Sequence, residues 1–89
     1  MVVYILRAGN KGAIRIGMTS SLESCMRELQ KGNAFRLEII AEIPCDSLQD
    51  AMDIKGRLHS VFIKNKIRGQ WFRGNINLKK AESIINRRI

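Results

Sequence analysis

Two short alternating runs around a glycine-flanked turn constrain this chain more than any other feature. Val2, Tyr4 and Leu6 alternate with Val3, Ile5 and Arg7; Gly9-Asn10-Lys11-Gly12 comes next, and Ala13 to Met18 is a second run. β-Branched and aromatic residues at a period of two make strands, and so short a glycine-rich link closes them antiparallel. The chain therefore starts with a hairpin, and its remaining elements have to cover the faces of a sheet.

The rest of the pattern supplies those elements. Ser20 stands three residues before Glu23 at a capping-box spacing, and Leu22, Cys25, Met26 and Leu29 recur at helical intervals up to Gly32, which predicts a helix over about Ser21 to Lys31. Phe35, Leu37, Ile39, Ala41 and Ile43 alternate with Arg36, Glu38 and Glu42 until Pro44, a third strand with one wet face. Ser47 can cap a second helix, Leu48 to Lys64, with Ala51, Ile54, Leu58, Val61 and Phe62 as its inward stripe. A short strand over Gln70 to Arg73 and a last helix, Leu78 to Arg87, complete the chain. The expectation is one α+β domain over residues 1–89: a small ββαβα sandwich with a three-stranded antiparallel sheet core, a further short strand and a C-terminal helix.

Charge divides the chain unevenly. Up to Ile54 six basic side chains meet seven acidic ones, whereas from Lys55 onward ten basic residues meet Glu82 alone. A half so depleted in acids suits a polyanionic partner. With 45% hydrophobic residues the chain can bury a core, which argues against disorder. No apolar run approaches the roughly 20 residues of a membrane span, and Met1 to Arg7 is strand-like rather than a signal peptide, so the chain reads as cytoplasmic with no membrane partner. Cys25, Cys45 and the single His59 fit neither a disulfide framework nor a zinc site.

Several spaced motifs then carry a resemblance. Val3-Tyr4-Ile5-Leu6 and Ile14-Arg15-Ile16-Gly17-Met18-Thr19 resemble the paired motifs of the GIY-YIG nuclease superfamily in its compact phage-type subgroup. Leu29-Gln30-Lys31-Gly32-Asn33, Leu37-Glu38-Ile39-Ile40, Leu58-His59 and Gly69-Gln70-Trp71-Phe72 are similar to that subgroup's later segments, in order, over Val3 to Phe72. The resemblance implies metal-dependent phosphodiester cleavage, with a tyrosine helping to activate water, an arginine on the phosphate and a glutamate on a divalent ion. An anionic transition state needs such cationic or Lewis-acid stabilisation, and a hard cation needs carboxylate oxygen.

Carried over position by position, the resemblance puts Tyr4 at the first motif's tyrosine and Arg15 at the second's, where the phage subgroup often has a basic residue. The first-helix arginine falls eight residues after Gly17 and seven before Gly32, on Cys25. The second-helix glutamate falls four residues before His59, on Lys55, and the closing acid is Gln70. Arg27 and Asp53 each stand two positions from the expected place, about 200° around a helix, and so project elsewhere. Lysine is no ligand for magnesium, and a thiol offers no bidentate fork to phosphate.

The expected site is thus vestigial: Tyr4, Arg15, Cys25, Lys55 and His59 line the groove, with no metal ligand set. Arg15, Lys55, Lys64, Lys66, Arg68 and Arg73 are the expected phosphate contacts, with Lys79, Lys80, Arg87 and Arg88 adding charge on the last helix. The expected function is a nuclease-fold protein that binds nucleic acid, DNA before RNA by resemblance, without cofactor and without cutting. Two alternatives stand beside it: a protein-binding inhibitor or regulator of phage or mobile-element kind, and an active endonuclease using Mg2+ or Mn2+. Four residues keep two readings each. Cys25 is a small buried hydrophobe or a thiolate favoured by Lys55 and Arg15; His59 is structural or part of the site; Trp71, with Phe72, is core or a platform for a nucleobase.

Overall fold

The computed structural model describes residues 1–9 and 12–86. Strands β1 (Val2–Ala8) and β2 (Ile14–Thr19) form the expected hairpin, with Tyr4 opposite Gly17 and Ile5 opposite Ile16; Asn10 and Lys11 of its turn lie outside the described residues. Helix α1 (Leu22–Lys31), strand β3 (Leu37–Pro44) and helix α2 (Leu48–Val61) come after the hairpin. A 3-10 turn at Ile63–Asn65, strands β4 (Lys66–Arg68) and β5 (Trp71–Phe72), and helix α3 (Leu78–Asn86) come last. Arg87 and Arg88 lie outside the described residues.

The expected α+β architecture holds, but the sheet has five strands rather than three and one short addition. Its order is β3-β1-β2-β5-β4, antiparallel at each pairing. The pleat of the hairpin sorts its residues between two faces. Val3, Ile5, Ile14 and Ile16 join Ala51, Ile54, Leu58, Phe62, Phe72, Ile76 and Ala81 in one buried cluster under α2 and α3. Tyr4, Leu6, Arg15 and Gly17 alternate with them and face α1.

Three boundaries differ from the sequence reading for local reasons. Ser21, not Ser20, caps α1, its hydroxyl accepting from the Ser24 N–H, while Thr19 and Ser21 hold one another in the preceding turn. The half-buried stripe of α1 is nevertheless Leu22, Cys25, Met26 and Leu29, as its spacing requires. Helix α2, capped by Ser47 as expected, stops at Val61 rather than Lys64. There the Phe62 N–H turns back to Leu58 and Ser60 and the chain tightens into the 3-10 turn. Val61 is consequently exposed at the rim of a groove between α2 and α3, not part of the inward stripe.

The third boundary is that of β3, which starts at Leu37 and leaves Phe35 64% exposed in the loop before it. Its register against β1 slips between Ile5 and Leu6: Ala41 pairs with Ile5, but Ile39 pairs with Leu6, and Ile40 is the extra residue. One inserted residue inverts the alternation. Ala41 and Ile43 stay on the α2 side, while Ile39 moves to the α1 side, where it meets Leu22 and Met26 and remains half exposed.

Candidate nucleic-acid interface

The site grows from the α1 face of the hairpin. Tyr4 is only 2% exposed, so its ring is core and its hydroxyl is the part that reaches the site. That hydroxyl lies over Gly17. A Cβ on residue 17 would collide with the Tyr4 hydroxyl and stand 2.7 Å from the Gln70 side-chain amide, so only glycine leaves room for the phenol. Arg15 Nε donates to the Tyr4 hydroxyl at 3.1 Å, and the Cys25 thiol donates to it from α1 at 3.7 Å. Burial is the largest influence on the phenol and raises its pKa above the ordinary 10.0, against the lowering effect of Arg15. Tyr4 is therefore a neutral phenol at physiological pH.

Arg15 is positioned by three groups. Beyond its bond to Tyr4, its guanidinium lies 5.5 Å from the centre of the Trp71 ring, a cation–π distance. With the Gln70 amide turned so that both its atoms are satisfied, the Gln70 oxygen accepts from Arg15 Nη2 at 3.2 Å and its nitrogen donates to the Ile16 carbonyl at 3.2 Å. Ile16 also gives its N–H to the Gln70 carbonyl at 3.0 Å, so this stretch of β2 is bound to residue 70 by backbone and side chain together.

His59 meets the same carbonyl from the other side of the sheet. Its Nε2 lies 2.8 Å from the Ile16 oxygen and therefore carries the proton, because a carbonyl can only accept. Its ring packs edge-on against Phe72, with centroids 4.8 Å apart. Burial is the main cause that lowers the His59 pKa below 6.5; Lys55 and Lys66 push the same way, while the bond to Ile16 opposes them. His59 is thus neutral at pH 7, held among cations.

Of the residues singled out by sequence, Arg15 and Cys25 both donate to the Tyr4 hydroxyl, and His59 is joined to Arg15 through Ile16 and Gln70. Lys55 stands one turn before His59 on α2 and acts electrostatically on that imidazole. Lys64 is exposed in the 3-10 turn, Lys66 and Arg68 are exposed on edge strand β4, and Arg73 is exposed just beyond β5, its N–H on the Asn65 carbonyl. The pairing sets Arg68 across from Trp71 and Trp71 across from Arg15. Among the described residues the ion pairs are Arg27–Glu23 and Lys31–Glu28, both exposed on α1, so the cations of this edge are not neutralised by such pairs.

The displaced candidates stay away. Arg27 turns to Glu23 and Ser24. Asp53 accepts from Gln49 and lines the α2–α3 groove, while Glu42 lies with Glu23 under α1. Among the described residues no three His, Cys, Asp or Glu side chains are grouped as a metal site. One part was missed in the sequence: Gln70 bridges Arg15 to Ile16, which its position beside Trp71-Phe72 did not reveal. Trp71 and Phe72, which kept two readings, part company: Trp71 is half-buried beneath Arg15, whereas Phe72 is fully buried.

The fold is that of a small α+β domain, and the family match puts it in a phage-type, nuclease-related class. The chain belongs to the T5orf172 domain family, whose match spans residues 1–88. No curated protein and no solved structure matches it. No helix among the described residues is long and apolar enough to cross a membrane.

Proposed function

We propose that this chain is a GIY-YIG-type nuclease scaffold that binds nucleic acid, DNA in the first instance, and does not cut it. The observation that carries the reading is the unpaired charge around the β2–β5–β4 end of the sheet: Arg15 fixed by Tyr4 and Gln70 on one face, with Lys55 and Lys66 beside a neutral His59 on the other. The donors at the resembling positions do not suit a hard divalent cation. A thiol at Cys25, an ammonium at Lys55 and an amide at Gln70 offer no carboxylate oxygen, and Lys55 repels the ion. The same features favour an anion. A phosphate approaching this edge meets Arg15, held ready with little entropy left to lose, and then the exposed cations of β4 and its flanks.

In this reading Arg15, Lys55, Lys64, Lys66, Arg68 and Arg73 contact the backbone and set register on the strand, without specifying sequence. If about four to six of them reach phosphates, duplex affinity falls roughly 10²–10³-fold between about 50 and 200 mM salt. Fluorescence anisotropy of a labelled duplex tests this, and Lys55→Glu is expected to weaken binding and reduce the salt slope by about one contact. Binding that ignores salt, or no binding at low salt, contradicts the proposal and turns attention to a protein partner.

A further inference from the structure

An apolar cleft of about 460 Å3 opens on the α1 face beside Arg15, and the phosphate contacts leave it unused. It is lined by Ala8, Gly9, Gly12, Ala13, Asn33, Phe35 and Trp71. Its volume is within the range of ligand sites, about 300–1,000 Å3. Its walls are two aromatic rings, and its floor is nearly bare backbone, since four of the lining residues are glycine or alanine.

Phe35 is the unusual wall. A phenyl ring 64% exposed on a loop is costly to leave in water, yet this loop is firmly built. Gln30 on α1 donates to the Phe35 carbonyl at 2.9 Å and accepts from the Leu37 N–H at 2.9 Å. The Phe35 N–H goes to Asn33 Oδ1 at 3.1 Å, and the Gly9 N–H goes to the Arg36 carbonyl at 3.0 Å. Gly9 supplies the turn beside the ring at φ +77°, a left-handed conformation that favours glycine. The bonds therefore present the ring rather than tuck it away. Trp71, the opposite wall, carries the Arg15 guanidinium at 5.5 Å. Asn33, which also lines the cleft, uses its oxygen on Phe35, so its amide N–H2 remains as a donor at the cleft wall.

We propose that this cleft receives one unstacked nucleobase of a single strand, held by Phe35 and Trp71 while Arg15 takes the adjoining phosphate. The proposal rests on the nucleic-acid reading of the basic edge and assigns that surface a base-binding part. A flat aromatic solute with a neighbouring negative charge is the ligand that two rings, one amide donor and one adjacent cation fit together. The stacking is sequence-tolerant, because every base has a π-face.

Trp71 is the chain's single tryptophan, so its emission reports the cleft directly. The test titrates the protein with a short oligothymidylate and with an abasic sugar-phosphate strand of equal length and charge. The expected result is quenching of tryptophan emission by the first and much less by the second, with the intact strand about 5- to 150-fold tighter, the span of about 1–3 kcal/mol per stacked base. Phe35→Ala is expected to erase that difference without altering binding of the abasic strand, and Phe35→Tyr to keep it. Since Phe35 is exposed, the substitution leaves the core intact, and circular dichroism verifies this. Equal affinity and equal quenching for the two strands would overturn the base-binding cleft while leaving phosphate binding standing. No salt-sensitive binding of either strand would instead overturn the underlying nucleic-acid reading, and the cleft with it.

Discussion

The two faces of the β1–β2 hairpin are made by neighbouring residues and do opposite things. On the α2 side Val3, Ile5, Ile14 and Ile16 enter a cluster whose members are apolar, and His59 touches its edge through Phe72. On the α1 side Tyr4, Arg15 and Gly17 join Cys25 and Gln70 in a chain of polar contacts that runs to the Ile16 carbonyl. Adjacent residues of a strand belong to different environments, so one hairpin can specify a dry core and a charged site at once. What separates the faces energetically is tolerance. The core stabilises by excluded water and close packing, whereas the site face holds a guanidinium and a phenol in polar contacts.

The sharpest break of that contrast lies on the core side. Phe72 is fully buried at the junction of α2, β2 and β5, and Phe72→Ala is expected to cost about 3–5 kcal/mol, a large share of a small domain's stability. Urea denaturation measures it, and a loss under about 1 kcal/mol would mean that this face is not the packed one.

A smaller effect is expected from the site face. Gly17→Ala puts a methyl group against the Tyr4 hydroxyl and Gln70, and overpacking of that kind costs about 1–3 kcal/mol. Its more telling consequence is displacement of Arg15 from Tyr4, so nucleic-acid affinity should fall in the variant even where it is fully folded. Unchanged affinity would show that the contacts of Tyr4 and Gln70 do not position Arg15.

The weakest effect distinguishes the faces by pH. The folded pKa of His59 lies below 6.5, so the unfolded chain takes up the proton first as pH falls. Its contribution to stability is complete above about pH 6.5 and is lost as pH drops toward the folded value; partial exposure keeps it modest. His59→Gln should flatten the stability profile between about pH 5 and 7, and identical slopes in the two proteins would deny His59 that part.

Much of this arrangement was legible in the residues. The hairpin, the Ser47 cap and the half-buried stripe of α1 come from local spacing, because each depends on neighbours a few positions away. Strand β4 left no such trace: Lys66-Ile67-Arg68 is an exposed edge strand with two cations and no apolar alternation. The bulge at Ile40 did leave a trace, since the polar alternation of Phe35 to Ile43 fails at Ile40 alone, but which strand's pairing absorbs the extra residue is set by the register against β1. At the site, motif spacing led to Tyr4, Arg15, Cys25 and His59, whereas the bridge made by Gln70 depends on how β5 meets β2. That is a long-range fact, which a single sequence does not carry. The exposed position of Phe35 is of the same kind, because it is set by where β3 begins pairing.

The central claim is that this scaffold keeps a hold on phosphate without a metal-based cut. The most direct measurement incubates the protein with supercoiled plasmid in magnesium and in manganese at low salt, and reads retention and nicking in the same sample. The predicted result is plasmid retarded by protein and released by salt, with its supercoiled form intact. Nicking or linearisation that disappears in an identically prepared Tyr4→Phe variant would contradict the claim.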